Sequence, residues 1–173
     1  MMRAREMGEP RFLVNNAGAT RKAEPGSWTE AHWVDMLHTN LLTTALMSQA
    51  FLAGPIAQGA IVNIASVRGL PESPRIGIAA YCAAKAGVIN LTKAMARAYA
   101  PAVTINAISP GFVKTAYMDR IDSELISDWL NTMPIGRFVE PEEIAAASAF
   151  LLGQPAVTGA NLVIDGAWSI GGE

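Results

Sequence analysis

Three side chains stand at a spacing that suits proton chemistry at an oxygen atom: Ser66, Tyr81 and Lys85. Tyr81-Cys82-Ala83-Ala84-Lys85 opens a stretch rich in Ala, Lys and Leu, residue types that favour helix. A tyrosine and a lysine four apart on a helix project from the same face, one turn from each other. A free phenol titrates at about 10 and is a poor acid–base group at neutral pH. An ammonium beside it favours the phenolate and lowers that value, giving a group able to exchange a proton with a carbonyl or hydroxyl oxygen. Ser66 follows the apolar run Ala60–Ala65 and is placed to hydrogen-bond the same oxygen and stabilise its developing charge. The Tyr-x-x-x-Lys spacing alone is weak, because such pairs arise by chance in many helices. Its bland reading is a half-buried tyrosine with a solvated lysine.

The elements that must position these groups can be read along the chain. Phe12-Leu13-Val14 predicts a buried strand running into the tight loop Asn15-Asn16-Ala17-Gly18. Ser27-Trp28-Thr29-Glu30 has capping-box spacing. Behind it Trp33, Leu37, Leu41, Ala45 and Gln49 follow a four-residue rhythm, predicting a long helix that ends near Gly54-Pro55. Ala60–Ala65 predicts a second strand, Ala80–Tyr99 a helix, and Val103–Ile108 a third strand closed by Ser109-Pro110-Gly111. Met118–Leu130 suggests one or two short helices. Glu140-Pro141-Glu142-Glu143 places proline and acids at the start of a helix reaching about Leu152, and Asn161–Asp165 predicts a fourth strand. Continuously apolar strands alternating with long helices indicate an α/β fold with a parallel sheet covered on both faces. Ligands of such sheets bind outside the carboxyl ends of the strands, where Ser66 and the loop at Pro110 fall.

Composition narrows the function classes. At 173 residues, 51% apolar and 16% charged, the chain suits one globular domain with a real core. A net charge of −2 offers no electrostatic reason to expect nucleic acid or an anionic membrane as partner. Thr39 to Val67 contains no Asp, Glu, Lys or Arg, yet Gly54-Pro55 and Gly59 break it, whereas a spanning helix needs about 20 predominantly apolar residues. Ile144 to Ile164 is cut by Gly153, Pro155 and Gly159. Met1 to Pro10 is charged and lacks the apolar core of a signal peptide. A lone cysteine, Cys82, excludes an internal disulfide and a Cys-based metal site. His32 and His38 have no partner cluster, so no metal is expected. The reading is a soluble, cytoplasmic protein.

Taken together, Asn15-Asn16-Ala17-Gly18, Asn40, Ser66, Tyr81-x-x-x-Lys85 and Pro110-Gly111-x-x-x-Thr115 stand in an order and approximate spacing that resembles the short-chain dehydrogenase/reductase family. Pro134-Ile135-Gly136-Arg137 with Pro141-Glu142-Glu143-Ile144, and Thr158-Gly159 with Val163-Ile164-Asp165-Gly166, are similar to that family too. The resemblance runs from Phe12 onward and is strongest to the branch of 3-oxoacyl-acyl-carrier-protein reductases and sugar or polyol dehydrogenases.

That resemblance implies a doubly wound, three-layer Rossmann domain and an oxidoreductase moving hydride between NAD or NADP and a carbonyl/alcohol substrate. Tyr81 would be the general acid in reduction and the base in oxidation. Lys85 would lower the Tyr81 pKa and hold the nicotinamide ribose, and Ser66 would position the substrate carbonyl. Asn40 would hold a water in a relay to Lys85; otherwise it simply bonds the backbone within its helix. Asn16, Ala17 and Gly18 would lie against the adenosine side of the cofactor, or, for Asn16 and Gly18, chiefly shape the turn. Pro110, Gly111, Val113 and Thr115 would line the nicotinamide amide. Residues from Ala116 to about Pro134 would form a variable lid, with Tyr117, Met118, Ile121, Leu125 and Trp129 suggesting an apolar or mixed pocket. Asp165-Gly166 reads as structural and Cys82 as inert. A homodimer or homotetramer is the implied assembly, through the helix containing Asn40 and the helix after Tyr81.

The resemblance also has a gap. Family members begin with a strand and a glycine-rich turn that brings a helix N-terminus to the cofactor pyrophosphate, and no such turn occurs in these 173 residues. The expectation is therefore a single partial Rossmann domain over residues 1–173, with the first three strands absent and the Phe12–Val14 strand left with an open edge. The residue that separates NAD from NADP belongs to that absent part. A rival reading from another class is a truncated, non-catalytic remnant that serves only as a folding or oligomerisation module.

Overall fold

The computed structural model describes Glu6 and residues 8–54, 58–116 and 118–170. Tyr117 and Pro55, named above in the lid and at the end of the first helix, lie outside the described residues. Four strands form one parallel sheet in the order β1 (Phe12–Asn15), β2 (Gly59–Ile64), β3 (Val103–Pro110) and β4 (Asn161–Ile164). Between them run α1 (Glu30–Leu37), continued through a π-helical stretch (His38–Leu42) into α2 (Thr43–Leu52), then α3 (Ala79–Tyr99), α4 (Ser123–Asn131) and α5 (Pro141–Leu152).

Alternation along the strands decides which helix each side chain meets. On one face Ile61 and Ile105 pack with Phe51 of α2 and Ala96 of α3. On the other, Val62 and Ile108 pack with Leu151 of α5. Phe51, Ile61 and Ile105 are fully buried, each worth about 1.5–3 kcal/mol in transfer terms. This is the helix–sheet–helix layering expected for strands apolar on both faces.

The long first helix starts later than the capping-box spacing indicated. Thr29, not Ser27, is the N-cap, its side chain accepting from the amide of His32 at 3.2 Å. Ser27 Oγ instead donates to the carbonyl of Glu24 at 2.7 Å, a local turn bond that competes with capping. At α5 the expected start holds: Glu140 and Glu143 form a reciprocal capping box, and Arg137 donates to both carboxylate oxygens of Glu143 at 2.7 and 2.9 Å.

The sheet interior is less apolar than the strand sequences suggested. Asn15 Nδ2 donates to Asn63 Oδ1 at 2.8 Å and to Ser48 Oγ at 2.9 Å, and Asn63 Nδ2 donates to Thr92 Oγ1 at 2.9 Å. This buried chain bolts β1, β2, α2 and α3 together, and each member is satisfied, as burial demands. β1 closes one side of the described sheet, leaving Phe12 54% and Val14 44% exposed, in keeping with the open edge expected of that strand. Among the described residues no helix is long and apolar enough to cross a membrane.

Candidate active site

The carboxyl ends of β1, β2 and β3 open onto a cleft of about 440 Å³. Its wall includes Asn16 and Gly18 after β1, Ser66 after β2, Tyr81 and Lys85 from α3, and Pro110, Gly111, Val113 and Thr115 after β3. The fold thus brings together nine of the eleven residues singled out in the sequence. The other two sit differently. Asn40 lies behind the cleft, fully buried, and Ala17 is exposed beside it.

Ser66 is held by the chain that follows it. It caps a single 3₁₀ turn, Val67–Gly69, with its Oγ accepting from the amide of Arg68 at 3.1 Å. That turn rests directly on α3. A Cβ built at Gly69 would stand 2.6 Å from the Lys85 carbonyl carbon and 2.7 Å from the Ala86 amide, so only glycine permits the approach. The contact brings Ser66 to the same cleft wall as Tyr81, near enough for the two side chains to interact.

Lys85 is buried, at 4% exposure, and its Nζ donates to the Ile64 carbonyl at 2.8 Å. Burial lowers its pKa to about 8, since the charged form loses solvent. Tyr81 shifts the other way. Burial raises its pKa, the Ser66 hydrogen bond and the charge of Arg68 offsetting this in part. This differs from the expectation that Lys85 lowers the phenol. The ammonium stands 5.7 Å from the Tyr81 ring centroid and is engaged with a carbonyl, while desolvation dominates the phenol.

Asn40 occupies the π-helical stretch, where the amide of Thr43 reaches back five residues to the carbonyl of His38. The side chain of Asn40 donates to the Met36 carbonyl one turn back at 3.0 Å. The same amide group donates to the Ala19 carbonyl at 2.8 Å and accepts from the Ala19 amide at 3.1 Å. These contacts are to main-chain atoms, one in its own helix and two in the loop after β1. Asn40 fixes the loop after β1 and holds Gly18 so close that an added Cβ would lie 2.9 Å from Asn40 Oδ1 and 3.4 Å from Lys85 Nζ. Gly18 is required by this close approach.

Sequence reasoning passed over one part of the site, an aromatic cluster at its outer end. Phe112 stacks on Trp129 of α4 with centroids 4.8 Å apart and meets Trp168 edge-on at 5.3 Å. The Arg68 guanidinium lies 4.3 Å from the Trp168 ring centroid. The cluster ties the segment expected to act as a lid to the loop after β3; the only signal was the choice of large rings at three distant positions. Asp165 proves to be a backbone clamp. Its carboxylate accepts from the amides of Ala167 and Ser169 at 3.0 and 2.8 Å.

Residues 3–169 match the family described as enoyl-(acyl carrier protein) reductase. The chain belongs to the short-chain dehydrogenase/reductase family. It is 41% identical over 166 residues to the 3-oxoacyl-(acyl-carrier-protein) reductase FabG of Vibrio cholerae, a match covering 93% of this chain and 67% of that protein. Among solved structures, it resembles a protein of Agrobacterium tumefaciens assigned as a 2-deoxy-d-gluconate 3-dehydrogenase with bound NADP, with a TM-score of 0.85 and 36% identity over 91% of this chain and 67% of the other. It also resembles a 4-hydroxyisoleucine dehydrogenase complexed with NADH, with a TM-score of 0.87 and 28% identity over 99% of this chain and 74% of the other. The chain spans about two thirds of the length of the curated relatives it matches. Its four parallel strands and flanking helices are the part of a Rossmann-type family fold that these relatives share.

Proposed function

We propose that this chain serves an oxidoreductase that moves hydride between NAD or NADP and a small carbonyl/alcohol substrate. The observation that carries the reading is the meeting of Ser66 and Tyr81 in one cleft whose floor holds Lys85, a buried ammonium with a carbonyl partner. Such a cation, short of partners, suits the hydroxyls of a ribose. Pro110, Gly111, Val113 and Thr115 supply a mixed wall that fits a planar amide-bearing ring. The lining therefore fits the nicotinamide–ribose half of the cofactor. The chemistry supplied by a bound nicotinamide is hydride transfer to or from the carbonyl carbon.

In reduction, the Tyr81 O–H bond breaks as its proton passes to the carbonyl oxygen, and in oxidation the phenolate takes the hydroxyl proton. Ser66 donates to the same oxygen as negative charge develops on it. Lys85, with its pKa near 8, holds the charge that steadies the phenolate once a ligand fills the cleft. Asn40 is a positioning residue. It holds the Ala19 segment, and with it Gly18, against Lys85.

A homodimer or homotetramer is the assembly we infer, supported by the apolar row Val34, Leu42, Leu46 and Met47 exposed along α1, the π stretch and α2. That row equally favours the second reading, a chain that folds and associates without turnover. Fluorescence titration of NADH and NADPH against the purified chain separates them. Saturable micromolar binding is expected, and a folded chain that binds neither would leave the assembly reading in front.

A further inference from the structure

We propose that Arg68, beside the cleft against Phe112 of its wall, is a specificity-determining cation that selects substrates bearing a carboxylate within a few carbons of the reacting oxygen. The proposal rests on the oxidoreductase reading above, in which Ser66 and Tyr81 hold that oxygen. Arg68 stands two residues beyond Ser66, and its own amide is fixed on the Ser66 hydroxyl at 3.1 Å. Its guanidinium is 4.3 Å from the ring centroid of Trp168 and 5.9 Å from that of Phe112, which lines the cleft.

The guanidinium has little else to do. It carries five donors, and its side chain makes one hydrogen bond among the described residues, a 3.5 Å contact from Nη1 to the Ser73 carbonyl. The ion pairs of the described residues join Arg21 to Asp35, Lys114 to Glu140 and Arg137 to Glu143; Arg68 is in none of them. Burial, and after it the like charge of Arg75, disfavours the cation. A half-buried guanidinium beside a like charge is costly, and ring contacts offset about 0.5–2 kcal/mol of that cost. Packing on Trp168 also restrains the guanidinium while leaving donors free. A planar fork of N–H groups matches the two oxygens of a carboxylate.

The loop from Ser66 to Tyr81 thus carries two cations near each other, Arg68 and Arg75, in a chain whose net charge is −2. Because Arg68 follows Ser66 so closely, the acid group it meets belongs to a small hydroxy or oxo acid rather than to the far end of a long molecule.

Trp168 packs against the guanidinium, so it contributes a signal from the site to the emission of the chain's four tryptophans. This emission should be followed while the chain is titrated with hydroxy acids of three to six carbons and, separately, with their primary amides. We expect at least one acid to bind about tenfold or more tighter than its amide, and Arg68→Met to bring that acid down to the amide's affinity. Arg68→Lys, which keeps the charge without the fork, should retain only part of the preference and guards against a folding defect in the first variant. Equal affinities, no binding by either series, or a preference that survives in Arg68→Met would each overturn the proposal. Failure of the oxidoreductase reading shows separately, as absence of NADH and NADPH binding, because acid-over-amide selectivity is read without turnover.

Discussion

The ammonium of Lys85 donates to the carbonyl of Ile64 at 2.8 Å, which joins the helix bearing Tyr81 to the last residue of β2, two before Ser66. One bond therefore ties together the two elements whose separation sets the Ser66–Tyr81 distance. The same burial that makes the bond strong disfavours the lysine's charge. The site is organised around a cation whose burial disfavours its charge.

Replacing Tyr81 by Phe removes the proton donor and little packing. Turnover should fall by about 10²-fold or more, while the thermal midpoint and NADH affinity stay near those of the parent. A steady-state assay beside a thermal melt checks this. An active, folded Phe variant would remove Tyr81 from the mechanism.

The direction of the Lys85 shift sets a pH dependence of stability. With a folded pKa near 8 against an ordinary value of 10.5, the unfolded chain binds more protons between those values. Stability of the ligand-free protein therefore rises as pH increases from about 8 toward 10.5. Lys85→Met should lose that rise, as read by urea midpoints across the range. The raised Tyr81 value keeps the phenol protonated at neutral pH, so carbonyl reduction should prevail there and alcohol oxidation should gain as pH climbs.

Gly69→Ala should be severe for so small a change. The new methyl meets the backbone of α3 at 2.6 to 2.8 Å, and the neighbours are main-chain atoms that cannot rotate away. We expect about 1–3 kcal/mol of destabilisation, measured by denaturant unfolding. Activity should fall further than stability explains, because the displaced turn carries Ser66.

Asn40→Ala strips partners from the Ala19 amide, the Ala19 carbonyl and the Met36 carbonyl. The Met36 contact is buried and the Ala19 contacts are part-buried; leaving a buried polar group unpaired costs about 1–3 kcal/mol, and a urea titration should show a loss of that order. Asn40→Asp, which keeps the acceptor for the Ala19 amide but not the donors, should recover only part of it.

Much of this protein is legible along the chain. Strand and helix order follow from apolar runs and helical rhythm, because burial on both sheet faces leaves a continuous apolar signature in β2 and β3. The chemistry-bearing types Ser66, Tyr81 and Lys85 are visible through their spacing, and the carboxyl-edge position of Ser66 follows from the strand that precedes it. Three things belong to the tertiary structure alone. Asn63 is fully buried within β2, yet its partners, Asn15 and Thr92, come from a distant strand and helix. The demand for glycine at 18 and 69 comes from backbone and side chains far along the chain; the turn signal at Asn15–Gly18 marks a loop but not this close approach. The Tyr81 pKa direction depends on how deeply α3 is packed, and desolvation outweighs the lysine that spacing alone places beside it. Local pattern decides which elements form, because propensity and periodicity are properties of neighbouring residues. Close approach and desolvation arise only when those elements meet.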